Sequence, residues 1–235
     1  MTTLPFDIDP ESRSLVPASL PDVGARFYEP AGENGVSRVF AEVYARAFLP
    51  TQHGEFAVLV FRNNQDEQEH VALVRGEVRG HERVPMRVHS ECLTGDVLGS
   101  LRCDCRAQLD LALETLGQSE RGILLYMRQE GRGIGLGNKI RAYALQEQGF
   151  DTVDANRHLG FDDDLRDYTI AGLMVRALAP TSVEMFTNNP RKIFGLKRLG
   201  VAVEARLPLV TEPTPENERY LLTKARRSGH IIPLP

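Results

Sequence analysis

The sequence predicts a single mixed α/β (α+β) domain, with a β-rich front part followed by alternating strands and helices. Three features predict it. Short apolar runs of strand length crowd the region before residue 91. From Cys103 onward the apolar spacing changes to a helical one. Apolar strands then recur between helical stretches that end in Gly or Pro.

Residues 1 to 35 are expected to be a poorly ordered or loosely docked extension. They carry Pro5, Pro10, Pro17, Pro21 and Pro30 among acidic residues and glycines, with no steady period. FAVLVF (56–61) and HVALVRGEV (70–78) read as strands around the polar turn NNQDEQE, and PMRVHSE (85–91) as a third. RAQLDLALETL (106–116) has Leu109, Ala112 and Leu116 at helical spacing, and GILLYMR (122–128) is a buried strand. GNKIRAYALQEQG (137–149) is a helix stopped by Gly149. DDDLRDYTIAGLMVRALAP (162–180) is a helix with acids at its start and Pro180 at its stop. SVEMFTNNP (182–190) is a strand and turn. RKIFGLKRLG (191–200) and NERYLLTKARRSGH (217–230) are the last helices.

Composition narrows the function classes. The 235 residues are 42% hydrophobic and 26% charged, with a net charge of -4. No positive excess suggests a nucleic-acid partner, and no apolar run is long enough for a membrane helix. The opening stretch MTTLPFDIDPESRS lacks an apolar signal region, so a cytoplasmic, reducing compartment is expected. There, clustered cysteines serve metals or catalysis more often than disulfides.

All three cysteines fall between His89 and Asp110, as Cys92, Cys103 and Cys105. Two residues apart on an extended segment, Cys103 and Cys105 point the same way. Three thiolates suit three corners of a zinc tetrahedron. An open fourth corner is the arrangement of a catalytic zinc; a structural site would be closed by His89. Three thiolates donate much charge, so a catalytic zinc here calls for cationic or hydrogen-bonding help. Arg87, His89, Glu91 and Arg102 are the local candidates.

Three further stretches suggest a ligand. In YMRQEGRGIGLGNKIRAY (126–143), glycines allow close backbone approach. Arg128, Arg132, Lys139 and Arg141 surround a helix N-terminus suited to phosphate. The stretch is neither a Walker A loop nor G-x-G-x-x-G. Lys139 and Tyr143 share a helix face. In NRHLGFDDDLRDY (156–168), Asp164 and Arg166 are two apart and cannot share a face of a regular helix. A substrate using both would need an irregular helix start. TNNPRK (187–192) ends a strand and opens a helix, offering Thr187 and Lys192 to a phosphate or a base edge.

Taken together, RVHSECLTGD, SLRCDC, YxRQEGRGIGLxNKIRAYALQ, DTVxANxxLGF, DxRDY, TNNPRK and the closing TKxxxxGH resemble GTP cyclohydrolase II, which opens guanine to begin riboflavin synthesis. The resemblance spans about residues 40 to 232 and makes 36–235 the catalytic domain. It implies loss of pyrophosphate from GTP, hydrolysis at C8, release of formate, and a 2,5-diamino-6-ribosylamino-pyrimidinone 5′-phosphate product. It also implies one zinc per subunit, Mg²⁺ with the GTP phosphates, and a homodimer, with no nucleic-acid or membrane partner.

Carried over by motif, the zinc ligands are Cys92, Cys103 and Cys105. The GTP contacts are Arg87, Val88, His89, Ser90, Glu91, Gln108, Glu130, Gly131, Arg132, Thr152, Thr187 and Lys192. Asp164 matches the proposed proton acceptor, Arg166 the proposed nucleophile at the α-phosphorus, and Tyr143 a tyrosine of the ring-opening step. An arginine nucleophile sits poorly with a guanidinium protonated beyond pH 12; Arg166 could instead stabilise charge on the α-phosphate. Arg106 departs from the family's usual Gly after CDC, and is expected to crowd the metal loop or reach phosphate. The dihydroxybutanone-phosphate synthase domain fused in some relatives is expected to be absent, since only about 35 residues precede the matching region. The competing readings are a sibling enzyme that keeps the formyl group, which lacks the Tyr143 equivalent, and a non-catalytic zinc-stabilised guanine-nucleotide sensor.

Overall fold

The computed structural model describes residues 16–30 and 38–231, apart from the side chain of Arg219. Its frame is one eight-stranded sheet: β1 (Arg26–Tyr28), β2 (Phe40–Thr51), β3 (Gly54–Asn63), β4 (His70–Arg75), β5 (Val84–Ser90), β6 (Gly122–Met127), β7 (Val183–Phe186) and β8 (Val203–Leu207). The order across the sheet is β1-β2-β3-β4-β6-β5-β7-β8. The first four strands form an antiparallel meander that joins β6 antiparallel, and β6, β5, β7 and β8 run parallel. The β-rich front and alternating back of the sequence are the two halves of this sheet.

Six helices complete it: α1 (Cys105–Gln118), α2 (Gly135–Glu147), α3 (Thr152–His158), α4 (Thr169–Leu178), α5 (Pro190–Arg198) and α6 (Glu218–Arg227). β6 shows how the faces divide. Ile123, Leu125 and Met127 join the large core that includes α4, whereas Leu124 packs with Phe56, Ala112 and Leu116 on the α1 side. Alternate residues of a strand point to opposite faces, so a strand covered on both sides is apolar throughout. In α4, Ile170, Leu173, Met174, Val175 and Leu178 are all buried, each contributing about 1.5–3 kcal/mol relative to exposure. No described helix is long and apolar enough to cross a membrane.

The structure departs from the sequence reading in places. Within the supposed extension, Arg26–Tyr28 pairs with β2, with Phe27 opposite Ala41. Residues 1–15 and 31–35 lie outside the described residues. The strand expected over 70–78 stops at Arg75, before Gly76 at φ +57°. The helix expected from residue 162 begins only at Thr169. Three further elements were not named from the sequence: β2, the edge strand β8, and α3, capped by Asp151, whose carboxylate accepts from the Val153 and Asp154 amides at 2.8 Å each.

Candidate active site

The C-terminal ends of β5, β6 and β7 lie on one side of the sheet, where ligands of open α/β sheets usually bind. A cleft with about 1110 Å³ of empty space opens there. β5 delivers Arg87, His89 and Ser90, and Glu91 and Cys92 follow the strand. β6 leads into Gln129–Arg132, and β7 into Thr187–Asn189.

The chain turns back at Leu93–Val97 so that Cys92, Cys103 and Cys105 converge, their sulfurs within 4.8 Å of one another. Cys92 Sγ and Cys103 Sγ are 3.7 Å apart. Thiolates around zinc, with bonds of ~2.3 Å, have a tetrahedral edge of about 3.8 Å, so the spacing fits such an ion. Gly95 makes the fit possible. A Cβ there would lie 2.9 Å from Cys103 Sγ and 3.1 Å from Cys92 Sγ. The acid–base chemistry points the same way. Contacts with the other two sulfurs, and the nearby Lys139, hold the Cys92 thiol far below its usual range. Against the contact with Cys105, Cys92 and burial push Cys103 up to about 11, and Cys105 is raised as well. Three thiolates this close need a cation to ionise together.

His89 does not close this group. Its Nε2 lies 3.0 Å from Asp96 Oδ2, and Tyr126 Oη and the Cys92 amide donate to the same oxygen at 2.8 and 3.0 Å. Asp96 therefore locks the loop to β5 and β6; in the sequence it stands only as the last residue of the RVHSECLTGD motif, with no role assigned. Arg106 neither crowds the sulfurs nor lines the cleft. It reaches Asp110 at 2.7 Å and the Asp96 carbonyl at 3.0 Å, bracing the loop from outside.

The glycine loop curls into a short 3₁₀ turn in which Gly131 and Arg132 both adopt left-handed angles, φ 64° and 61°. A left-handed arginine is uncommon. Here it turns the guanidinium to Asp163, 2.6 Å away, and to Ser228 Oγ at 3.1 Å. On α2, Lys139 Nζ donates to Cys92 Sγ at 3.1 Å and Glu130 Oε1 at 2.8 Å. One turn on, the Tyr143 hydroxyl sits 3.4 Å from Thr94 Oγ1. The shared helix face of Lys139 and Tyr143 is thus the cleft face. Arg128 and Arg141 turn elsewhere: Arg128 pairs with Glu91, and Arg141 is exposed beside Asn138.

Asp164 and Arg166 precede α4, so the irregular start that their spacing demands is present. Both oxygens of Asp164 hold the Arg166 guanidinium. Against burial, Tyr168 and Asp164 keep Arg166 even more firmly protonated than a free guanidinium. Arg166 lines the cleft, and Asp164 braces it from behind.

Lys192, on α5, is buried and donates to the Val88 carbonyl at 2.7 Å; burial, then Arg87 and Arg166, lower its pKa well below the usual value. Burial likewise lowers Arg87 to about 10, while its NH1 and NH2 donate to the Phe186 carbonyl at 2.9 Å and Gln108 Oε1 at 2.7 Å. Gln108, Glu130, Gly131, Thr152 and Thr187 line the cleft too, whereas the Val88 side chain packs in the core.

Sequence reasoning assigned no role to Asn156, Tyr220, Lys224 or His230, which complete the wall. For the last two, the closing TKxxxxGH motif was the available signal. Arg87, His89, Gln129, Arg132, Asn189 and His230 each carry a buried side-chain nitrogen or oxygen without a partner, all around this cleft. Buried polar atoms are rarely left so, and a polar ligand would satisfy them.

The chain is similar to known proteins along most of its length. The chain is 53% identical over 190 residues to riboflavin biosynthesis protein RibBA of Chlamydia trachomatis serovar D, covering 80% of this chain and 45% of that protein. The chain thus spans about half the length of that relative. It is 53% identical over 188 residues to GTP cyclohydrolase-2 of Cronobacter sakazakii, covering 80% of this chain and 95% of the relative. With GTP cyclohydrolase-2 of Escherichia coli O9:H4 the identity is 52% over 188 residues, covering 80% and 96%. Residues 42–208 match the GTP cyclohydrolase II family, and with relatives this similar along nearly their whole length, the chain belongs to that family.

Proposed function

We propose that this chain converts GTP to the 2,5-diamino-pyrimidinone ribosylamine phosphate, formate and pyrophosphate, with 36–235 as its catalytic domain. One observation carries the reading: a single cleft sets a thiol triad beside the cations Arg87, Arg132, Arg166 and Lys192. A triphosphate brings the negative charge those cations lack, and the unpartnered atoms of Arg87 and Arg132 give it donors. Cys92, Cys103 and Cys105 would hold one zinc ion, which when bound supplies a Lewis acid that lowers the pKa of water for hydrolysis at C8. Magnesium would arrive with the phosphates and be held mainly by their oxygens and water. Among the described residues, the cysteines are the one cluster of three metal-binding side chains.

The chain's own groups then divide the work. Arg166 stabilises charge at the α-phosphate rather than attacking it, because the Asp164 fork keeps it cationic and leaves no lone pair to donate. Lys192 gains a proton more readily once phosphate oxygens replace the neighbouring positive field as its closest company. Lys139 offsets thiolate charge at Cys92. The Tyr143 hydroxyl, beside Thr94, moves a proton during ring opening. That placement favours full ring opening over the formyl-retaining alternative. His89, Ser90, Glu91, Gln108, Glu130, Thr152 and Thr187 shape the rest of the pocket.

A homodimer, acting in the cytoplasm, completes the proposal. Val97, Leu98 and Leu101 project from the thiol loop, 65%, 71% and 61% exposed, and a second copy would cover such a ridge. Light scattering tests the assembly. Purified protein given GTP and Mg²⁺ tests the reaction, with formate, pyrophosphate and the pyrimidinone chromophore followed together. All three should rise in step. Turnover of ATP at a comparable rate, or pyrophosphate without formate, would refute the assignment.

A further inference from the structure

The helix α6 brings a lysine to the thiol loop from the far end of the chain. Lys224 Nζ donates to Asp104 Oδ1 at 2.8 Å, and both side chains are almost wholly buried. Asp104 stands between two of the three cysteines. Its other oxygen accepts from Gln108 Nε2, and Gln108 Oε1 accepts from Arg87 at 2.7 Å. One chain of charge-assisted bonds therefore runs from α6, past the sulfurs, to a cation of the phosphate wall.

A buried pair of this kind adds little net stability; an apolar pair of the same volume would serve as well. Nor is it required to hold α6 in place. Arg227 binds Asp151 and Asp154, Ser228 lies against Arg132 and Asp163, and the Ile231 amide donates to the Asn188 carbonyl at 2.8 Å. What the pair does specify is where Asp104 and Gln108 point. Groups one step behind a metal's ligands set the orientation and charge of those ligands.

We infer that Lys224 is a positioning residue of this site, fixing the thiol loop through Asp104 and the Arg87 guanidinium through Gln108. The inference rests on the proposed zinc-dependent reaction. It extends the working site to a helix beyond the 42–208 family match.

The test uses full-length Lys224→Met and the double variant Asp104→Asn/Lys224→Met, the second leaving no unpaired charge buried. Four quantities are read for each. They are kcat and KM from formate release, the rate of zinc loss to 4-(2-pyridylazo)resorcinol, and the melting temperature. The double variant is expected to melt within about 4 °C of the parent and the single variant lower, since it leaves Asp104 unpaired; both should show kcat down ~10–100-fold and zinc lost faster by a similar factor. If the single variant fails to fold, the double variant decides. Parental kcat and parental zinc retention in a folded variant would overturn the inference and leave the pair a purely structural one. If the parent itself makes no formate, the proposed reaction fails, while the zinc-loss comparison still decides the role of Lys224.

Discussion

Asp164 holds Arg166 by both carboxylate oxygens, 2.7 Å to Nε and 2.6 Å to the terminal nitrogen. The fork fixes the plane and direction of the guanidinium where the cleft is most cationic. An ammonium cannot make both bonds. Arg166→Lys should therefore cut pyrophosphate and formate release together, by ~10²–10³-fold. Rates within a few-fold of the parent would show that charge alone suffices there.

The thiol triad and the phosphate cations are distinct clusters of one cleft, so two half-reactions should separate. Cys103→Ala, or removal of zinc by chelation followed by restoration of Mg²⁺, should abolish formate while pyrophosphate release continues. Tyr143→Phe should spare pyrophosphate and slow formate by ~10²-fold, since a phenyl ring cannot pass a proton. Parallel product assays on folded, GTP-binding protein decide it. Loss of both products from the cysteine variant would mean that the metal also organises the phosphates.

Gly95 is expected to tolerate no side chain. In Gly95→Ala the new methyl would press on Cys92 Sγ and Cys103 Sγ at 3.1 and 2.9 Å. Relieving such overpacking costs about 1–3 kcal/mol, and here it spreads the sulfurs. Zinc content should drop more steeply than the melting temperature. A variant that binds zinc as tightly as the parent would show that the loop has slack.

Stability should fall on acidification. Burial lowers the pKa of His70, and burial with Lys224, Arg132, Arg166 and Lys192 lowers His230 to about 3. Both resist protonation in the folded chain, whereas an unfolded histidine protonates near pH 6.5. Below about pH 6.5 the unfolded state binds protons that the folded state refuses, so unfolding becomes easier as pH drops. Above about pH 7.5 neither group contributes. For His230 the loss should reach about 2 kcal/mol by pH 5, and His70 adds to it in the same direction. Urea melts from pH 8 to 5 measure it, and His70→Gln should flatten part of the slope. A flat profile in the parent would show that these rings protonate in place.

The sequence revealed whatever repeats over a short distance. β5, β6, α1 and α2 were legible because alternation and helical spacing are local, and the thiol triad because its members lie close in the chain. Contacts between distant segments were not legible. Asp96 looks like any loop carboxylate until the fold brings His89 and Tyr126 to it. Lys224 is marked by the TKxxxxGH motif, but its partner Asp104 is legible only when α6 lies over the thiol loop. The run at 162–168 looked helical because acids before an apolar stretch are also how a helix begins. In the fold, Arg166 and the Leu165 amide, bonded to the Arg132 carbonyl at 3.0 Å, keep it out of the helix beside the glycine loop.

The turn at Leu93–Val97 has a consequence for the order in which the molecule assembles. It brings the three sulfurs together across one brief stretch of chain, whereas Arg87, Arg132, Arg166 and Lys192 meet only when β5, β6 and β7 have aligned. Closing a short loop costs less entropy than closing a long one, and non-local strand pairing is slow. During refolding, metal capture should thus precede nucleotide capture, and zinc would act first as a nucleus for the loop and only afterwards as a reagent.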